Sequence, residues 1–358
     1  MRICFVGPAN SSHIVKWSNW FLNRGHEIHI VSFTPGEIPG VTVHLIDTGA
    51  DAGGSDLGKL KYLTTGKKIR KLVNTIQPDI VSAHYATSYG IALALSGLKK
   101  YTLSVWGTDI YVFPRKSILH RALLKHSLKK APHLFSTSRA MAEEAAKYTK
   151  KSFDITPFGV NMELFNPDKR TRPKYSDDED LVIGTVKTLS WEYGIEDILT
   201  AASILKKEGM RLSIRIAGKG PKQQEYQDLA KSLGIEDITH WLGYISQEQA
   251  AAEWANMDIG VIPSVSESFG VSAVEAQACG TPVIISDIPG LMEATDPDRS
   301  SLVVHKKSPE EIAEKIKILA DSSKRREMGE HGASFVREHY ELDDCFEKIQ
   351  SLFESYRG

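Results

Sequence analysis

The 358-residue chain has little cysteine and few long uncharged stretches. Its three cysteines, Cys4, Cys279 and Cys345, are far apart and form no C-x-x-C pair, which argues against a disulfide framework or a cysteine-ligated metal site. The uncharged stretch 85–98 is shorter than the ~20 residues needed to span a bilayer. Residues 1–7 are too short in apolar length for a signal peptide and are typical of a buried strand. We therefore expect a cytoplasmic protein.

The chain as a whole also has almost no net charge, but its two halves carry opposite charges that cancel. The formal charge is −1, with 41% hydrophobic and 25% charged residues, which is typical of a soluble globular protein. Residues 1–165 hold 21 Lys and Arg against 11 Asp and Glu, whereas residues 166–358 hold 23 against 34. The two halves therefore carry about +10 and −11. This asymmetry predicts an anionic partner for the first half.

Short apolar runs alternate with helical patterns along both halves. The predicted strands of the first half are 3–6, 28–32, 41–45, 80–83, 101–105 and 134–137, with helices at 12–23 and 67–77. The pattern restarts with strands 181–186, 211–217, 239–242, 259–262 and 283–286, and with helices at 195–207 and 222–233. Such alternation predicts α/β domains, each with a parallel sheet covered by helices.

We expect four segments in the chain. They are a basic Rossmann-like domain at 1–165, a polar linker at 166–180, an acidic Rossmann-like domain at 181–340 and an amphipathic C-terminal helix at 341–358. Ligands of such sheets bind beyond the carboxyl ends of the strands. The chemistry is therefore expected in loops that face a cleft between the two domains.

The segment 263–276 carries the richest pattern. It follows the apolar strand 259–262 and is predicted to open a helix near Ser268, whose free N–H groups would favour a phosphate. Gly270 allows the backbone to approach a ligand closely. Glu267 and Glu275 would lie about 12 Å apart along a helix, which is too far for a glycosidase carboxylate pair. The alternative is a capped helix with a solvated Glu275.

This segment resembles the E-x7-E signature of family-4 retaining glycosyltransferases. Segments 157–161, 216–221, 241–243, 278–284 and 289–293 are similar to further motifs of that family and occur in the same order. The resemblance implies the GT-B fold, in which two Rossmann-like domains face each other and the C-terminal helix crosses back to the first domain. It also implies transfer of a sugar from a nucleotide-diphosphate sugar to a hydroxyl of a glycan, lipid-linked or small-molecule acceptor, as in polysaccharide biosynthesis, with no metal or other cofactor. We expect a UDP-sugar rather than another nucleotide sugar only because such donors are common, since no residue of the sequence identifies the base.

The resemblance assigns roles to residues of the second half. Glu267 would contact the hydroxyls of the donor sugar, and Glu275 would hold the ribose diol. The other expected donor-binding residues are Ser264, Ser268, Phe269, Gly270, Val271, Gly218 and Gly220. Phe269, Gly270 and Val271 would act through their backbone N–H groups, and Gly218 and Gly220 would let the chain pass close to the nucleotide.

Two departures from the family pattern concern charge and proton transfer. Thr188 and Tyr193 stand where the family has Arg and Lys, so Lys187 is expected to neutralise the diphosphate; the alternative is a surface lysine. Trp106 stands where the family has a histidine at the reaction centre. Asp109 is retained and is expected to act in catalysis as a hydrogen-bond acceptor.

The remaining candidates belong to the first half. Asn10 or Ser11 would cap the first helix and, with His84 and Trp106, line the acceptor side. Cations at 67–71 and 115–130 would suit an anionic membrane surface, although they do not segregate from the apolar residues as in a helix lying in a membrane plane. No nucleic-acid partner is expected. The acidic run 177–180 could suggest a metal-binding D-x-D pattern, but its context indicates a solvated linker.

Three other functions remain open. A sugar-nucleotide epimerase could use the same architecture, and a non-catalytic nucleotide-sugar-binding protein would be consistent with Trp106, Thr188 and Tyr193. A nicotinamide dehydrogenase is disfavoured because no G-x-G-x-x-G follows the first strand.

Overall fold

The computed structural model describes residues 1–48, 65–173 and 179–357. Asp177 and Asp178 of the acidic run lie outside the described residues. The chain forms two compact units: Met1–Phe158 with Phe346–Gly358, and Gly159–Cys345. In the described ranges, no helix combines the length and apolarity needed to cross a membrane. The three cysteines are buried as free thiols.

The first unit contains a seven-stranded parallel sheet in the order β3-β2-β1-β4-β5-β6-β7. The strands are β1 (Arg2–Val6), β2 (Glu27–Ser32), β3 (Thr42–Leu45), β4 (Ile80–His84), β5 (Thr102–Val105), β6 (His133–Ser136) and β7 (Asp154–Ile155). Ile3 of β1 pairs with Ile28 on one side and Ile80 on the other. Chain order therefore reverses between β1 and β4.

Helices cover both faces of this sheet. They are α1 (Ser12–Asn23), α2 (Gly66–Ile76), α3 (Tyr89–Ser96), α4 (Thr108–Tyr111), α5 (Ile118–Lys130) and α6 (Arg139–Ala145). Alternate residues of β1 enter different cores. Phe5 packs against Trp17 and Phe21, whereas Cys4 and Val6 join an aliphatic cluster that includes residues of α2, α3 and α5. Both faces of the sheet are therefore buried, as is typical of parallel sheets.

The second unit contains a six-stranded parallel sheet in the order β10-β9-β8-β11-β12-β13. The strands are β8 (Leu181–Val186), β9 (Leu212–Ala217), β10 (Thr239–Gly243), β11 (Ile259–Ile262), β12 (Val283–Ser286) and β13 (Ser301–Val304). The helices are α7 (Ile195–Lys207), α8 (Gln223–Ser232), α9 (Gln247–Asn256), α10 (Val271–Ala278), α11 (Pro289–Ala294), α12 (Pro309–Ile318) and α13 (Ser322–Tyr340). Chain order reverses between β8 and β11, and loops at such a point form a crevice suited to ligands.

The last helix, α14 (Leu342–Tyr356), passes from the second unit to the first. Phe346 packs against Trp17 and Trp20, and Phe353 stacks on Phe21 with the ring centroids 5.6 Å apart. Aromatic pairs at this separation add to the free energy gained from burial. The helix therefore contributes its apolar stripe to the core of the first unit.

The prediction of two α/β domains is confirmed, but one helix boundary was wrong. The helix expected near Ser268 begins at Val271, because Gly270 precedes it in a left-handed conformation with φ +89°. Glu267 therefore lies in the loop before the helix and only Glu275 lies on it. The 12 Å separation along one helix does not apply.

The polar segment 166–180 is tied to the second unit where the structure describes it. Asp258 accepts from the guanidinium groups of Arg170 at 2.6 Å and Arg172 at 3.1 Å, and from the backbone N–H of Val182 at 2.8 Å. Arg170 and Asp258 side chains are less than 10% exposed. A buried carboxylate thus joins the segment to the start of β8.

We predict that Asp258→Ala lowers the free energy of unfolding by about 3–5 kcal/mol, because it leaves a buried guanidinium without its anion. Chemical denaturation of the variant measures this loss. The control is Asp237→Ala, which removes an exposed ion pair with Lys206 and should leave the transition midpoint unchanged. Equal effects of the two substitutions would contradict the role of Asp258.

Candidate functional site

Two loops meet where chain order reverses in the second sheet. Lys187 directly follows β8, and Glu267 lies in the loop after β11. The ammonium of Lys187 forms an ion pair with the carboxylate of Glu267, and their side chains are only 10% and 12% exposed. The ring of Tyr193 lies 4.6 Å from Nζ of Lys187. The structure therefore brings together three of the positions that the sequence singled out.

The charge of Lys187 is stabilised by its surroundings. Burial by itself lowers the pKa of Lys187. The neighbouring Glu267 carboxylate raises the pKa by more than burial lowers it when the smaller contributions are added, so that the net pKa lies above the usual value. Tyr193 and Glu275 contribute in the same direction. The site thus holds a protonated ammonium against the Glu267 carboxylate and the ring of Tyr193, which is suited to a ligand carrying both hydroxyl groups and negative charge.

Gly218 and Gly220 shape the loop that supports Lys187. A Cβ added to Gly218 would lie 1.8 Å from the carbonyl oxygen of Lys187, and one added to Gly220 would lie 2.2 Å from that of Leu189. The backbone N–H of Lys187 donates to Ala217 at 2.9 Å. The two glycines are therefore required for close packing of two protein loops. The sequence predicted a different role for them, which was close approach of the backbone to a nucleotide.

The loop before α10 is held by contacts on both sides. The N–H of Val265 donates to the carbonyl of Glu192 at 2.8 Å, and the hydroxyl of Ser272 donates to the carbonyl of Val186 at 3.0 Å. A Cβ on Gly290 would lie 2.7 Å from the carbonyl oxygen of Glu267. These contacts place the first turn of α10 beside the end of β8.

The other predicted donor-binding residues lie on this loop in different environments. The Phe269 side chain is buried against Tyr340, so only its backbone can contact a ligand. The Ser264 hydroxyl is buried, and no described residue hydrogen-bonds to it. Ser268 is half-buried, and Val271 is the first residue of α10, where N–H groups lack acceptors within the helix. This helix start can hold an anion.

Asp109 of the first unit is a positioning residue. Its carboxylate is buried and accepts from the backbone N–H groups of Ala86 at 2.9 Å, Trp106 at 3.1 Å and Gly107 at 2.8 Å. Burial raises the pKa of Asp109, and these hydrogen bonds only partly offset that rise. The carboxylate thus fixes the loops after β4 and β5. The catalytic role expected from the sequence stays a prediction.

His84 and Trp106 belong to a buried aromatic cluster. The ring of Trp106 lies 5.0 Å from that of His84 and 5.5 Å from that of His13, and His13 stacks on Phe158 at 3.9 Å. Burial lowers the pKa of His84 to about 3 and that of His13 to about 4. Both imidazoles are therefore neutral at pH 7. Within the described residues, Nδ1 of His84 and Nε1 of Trp106 are buried without hydrogen-bond partners.

His13 contacts Trp106 and Phe158 but is not among the residues that the sequence pattern pointed to. The signal that could have identified it is its place one residue after the start of α1, beside the loop that follows β1. Ser11 stands at the N-cap position of α1, but its side chain makes no capping hydrogen bond. The Asn10 side chain instead accepts from the Thr34 hydroxyl at 3.1 Å. The expected side-chain cap was therefore wrong.

We predict that Gly218→Ala lowers the free energy of unfolding by about 2–5 kcal/mol. Overlap of the new methyl group with the carbonyl of Lys187 accounts for about 1–3 kcal/mol, and backbone strain at φ +137° for about 1–2 kcal/mol. Urea unfolding measures the loss. Gly234→Ala is the matched control: Gly234 also has a positive φ, +70°, but a Cβ there would meet nothing within 4 Å. It should cost only about 1–2 kcal/mol of left-handed strain. Indistinguishable losses would disprove the close loop contact.

We predict that the stability of the protein falls as pH drops below about 6.5. In the unfolded chain His84 takes up a proton near that pH, whereas in the folded protein burial lowers its pKa to about 3 and it stays neutral. This histidine contributes about 1.4 kcal/mol per pH unit, hence about 2 kcal/mol between pH 7 and pH 5. His84→Asn should reduce that dependence by this amount in denaturation curves at the two pH values. The exposed His240→Asn should leave it unchanged, and a wild-type dependence in His84→Asn would refute the assignment.

Comparisons with known proteins agree with this architecture. The family model of glycosyl transferases group 1 matches residues 168–335, and that of glycosyl transferase 4-like proteins matches residues 2–138. An uncharacterized glycosyltransferase of Methanocaldococcus jannaschii is 31% identical over 296 residues, covering 77% of this chain and 75% of the relative. A D-inositol 3-phosphate glycosyltransferase of an Arthrobacter species is 26% identical, covering 82% of this chain and 76% of the relative.

Solved structures show the same fold. Sucrose-phosphate synthase from Thermosynechococcus elongatus has a TM-score of 0.84 at 18% identity, with 99% of both chains covered. Anabaena HepE in complex with UDP has a TM-score of 0.80 at 16% identity, with 99% of this chain and all of that chain covered. The chain has the two-domain α/β GT-B fold and belongs to the family-4 glycosyltransferases of group 1.

Proposed function

We propose that this glycosyltransferase takes its sugar from a nucleotide-diphosphate sugar, a UDP-sugar by preference, and transfers it to a hydroxyl acceptor with retention at the anomeric carbon. The observation that carries the proposal is the largely buried Lys187–Glu267 pair beside the start of α10. The preference for UDP is supported by HepE, whose structures include UDP and UDP-glucose complexes.

Lys187 is the proposed cation for the diphosphate. Thr188 and Tyr193 occupy the positions where the family has Arg and Lys, so the positive charge of this loop depends on Lys187. Its ammonium is already ordered by Glu267 and Tyr193, which reduces the reorganisation needed when a diphosphate binds. The N–H groups at the start of α10 would contact the same anion, together with the positive end of the helix dipole.

The two glutamates would bind hydroxyl groups. A carboxylate accepts hydrogen bonds only, so Glu267 can receive O–H groups of the donor sugar, and Glu275 those of the ribose. The site would thereby recognise the sugar, the diphosphate and the ribose separately.

The proposed reaction needs no strong protein base. The bond from the anomeric carbon to the β-phosphate oxygen breaks, and its electron pair stays on the phosphate. The acceptor oxygen forms the new bond on the same face of the sugar ring, and its proton moves to the departing phosphate. Lys187 and the α10 start stabilise the charge that develops on the leaving group. This chemistry would proceed without a metal ion.

A donor screen tests the proposed substrate class. Purified protein is incubated with UDP-, GDP- or ADP-sugars, and thermal unfolding is followed, since a bound ligand stabilises the folded state by mass action. The donor that raises the melting temperature is then supplied with an acceptor panel, and NMR identifies the anomer formed. Epimerised sugar nucleotide without acceptor would indicate an epimerase, and donor binding without turnover would indicate a binding protein.

We predict that Lys187→Met weakens UDP binding about 10- to 100-fold, as expected for the loss of a hydrogen bond to a charged group. Isothermal titration calorimetry measures this loss, and uridine, which lacks the diphosphate, should be affected much less. Because the substitution leaves Glu267 without its cation, the double variant Lys187→Met, Glu267→Gln provides a neutral pair for comparison.

The matched control for this prediction is Lys231→Met, which removes an exposed cation from α8 of the same unit. Its affinity for UDP should equal that of the wild-type protein. If Lys187→Met bound UDP as tightly as Lys231→Met, Lys187 would have no role at the diphosphate.

A further inference from the structure

Three helices form one layer on one face of the first sheet. α3 contacts α2 on one side and α5 on the other, and α5 also contacts the short turn Phe113–Arg115. Buried residues of these helices, including Ile69, Leu93 and Leu124, belong to the aliphatic core. We call this group of helices and the turn the α2–α3–α5 layer. Its outer surface is distinct from the donor site, which lies in the other unit.

The layer is strongly cationic. Residues 66–130, which include the layer, contain twelve Lys and Arg but only two acidic residues, Asp79 and Asp109. Asp109 is buried, and Asp79 forms an ion pair with Arg357 at 2.8 Å, so neither places an unpaired negative charge on the surface. Of the cations, Arg115 forms an ion pair with Glu144 of α6 at 3.2 Å. All twelve are exposed: Lys67, Lys68, Arg70, Lys71, Lys99, Lys100, Arg115, Lys116, Arg121, Lys125, Lys129 and Lys130.

Exposed apolar side chains lie among these cations. Ile118 is 88% exposed, Leu119 58%, Val112 47% and Leu95 46%. Among the described residues of the first unit, Leu45 is the one other large apolar side chain that is similarly exposed. Ile118 is the first residue of α5, whose N-cap Ser117 accepts from the backbone N–H of His120. The most exposed apolar group therefore lies at a fixed helix start.

This pattern separates apolar from basic residues along α5 instead of around it. Ile118 and Leu119 occupy its first turn, whereas Arg121, Lys125 and Lys129 follow on exposed positions toward its end. A helix lying in a membrane plane would carry an apolar stripe along its whole length. The arrangement suits insertion of one end, with the cations beside it at the level of the phosphates.

We propose that the α2–α3–α5 layer docks on the surface of an anionic lipid bilayer. Ile118, Leu119 and Val112 enter the interface, and the surrounding Lys and Arg contact the acidic head groups. Each cation near such a surface adds an attraction that falls off within the Debye length. Nucleic acid would satisfy the cations but would leave the apolar side chains in water, so the combination favours a bilayer.

Vesicle cosedimentation tests the proposal on the full chain. Binding to phosphatidylcholine vesicles is compared with binding to vesicles containing about 30% phosphatidylglycerol, at low and at physiological ionic strength. We expect clear binding to the anionic vesicles, little binding to the neutral ones and weaker binding as salt rises. Equal retention on both vesicle types, or none on either at low salt, would overturn the proposal.

Two sets of substitutions separate the apolar and basic contributions. Ile118→Ser with Leu119→Ser should weaken binding to the anionic vesicles by at least about tenfold, because two exposed side chains no longer leave water. Arg121→Gln with Lys125→Gln should weaken it about 25-fold, at about fivefold for each cation. All four positions are exposed, and thermal unfolding verifies that each variant folds.

Matched controls come from the second unit. Ile318→Ser removes an apolar side chain that is 43% exposed, and Lys207→Gln with Lys231→Gln removes two exposed cations. These variants should bind vesicles as the wild-type protein does. If Ile118→Ser with Leu119→Ser also bound normally and a short RNA competed with the vesicles, the partner would be a polyanion and the bilayer proposal would be wrong.

The experiment is independent of the proposed transfer reaction. The layer variants should retain the wild-type affinity for UDP, and Lys187→Met should retain vesicle binding. Failure of vesicle binding would thus leave the donor site untouched, and failure of donor binding would leave the docking surface untouched.

Discussion

The buried contact between Lys187 and Glu267 is the interaction on which the site of the second unit depends. Neither side chain could lie in this crevice alone, because a buried charge without a partner is strongly unfavourable. Their loops follow β8 and β11, which are adjacent in the sheet although about 70 residues separate them in sequence. Gly218 and Gly194 allow the neighbouring backbones to approach, since a Cβ at Gly194 would lie 2.4 Å from the carbonyl oxygen of Pro263.

The charged residues of the two halves are arranged differently in the structure. The second unit is acidic as a whole, yet its site retains a protonated lysine because two carboxylates stabilise the ammonium. The charge state of Lys187 therefore follows from its immediate neighbours and not from the net charge of the unit. In the first unit the cations lie on exposed positions of α2 and α5 and in the segments 99–100 and 115–116, where they act together on a charged surface within the Debye length.

The two α/β domains and most strand positions could be predicted from the sequence, because apolar periodicity indicates which residues are buried. The order of the strands in each sheet was not predicted and comes from the structure. The strands at 181–186, 259–262 and 283–286 have the predicted bounds. The start of α10 could not be predicted from periodicity, because it depends on the left-handed backbone of Gly270, where an added Cβ would lie 2.7 Å from the side chain of Leu291. The hydrogen-bond partners of Asp109 could not be predicted either, since its three donors are backbone N–H groups, which a sequence pattern of side chains does not identify.

By itself, the sequence determined the two α/β units, the charge of each half and the family, because these depend on local periodicity, composition and ordered motifs. Only the tertiary structure decided that Lys187 is paired with Glu267 and that His84 is neutral. It also decided that Ile118 and Leu119 are exposed beside cations. The physical reason is that pairing, burial and exposure are set by neighbours distant in the chain, which a single sequence does not specify.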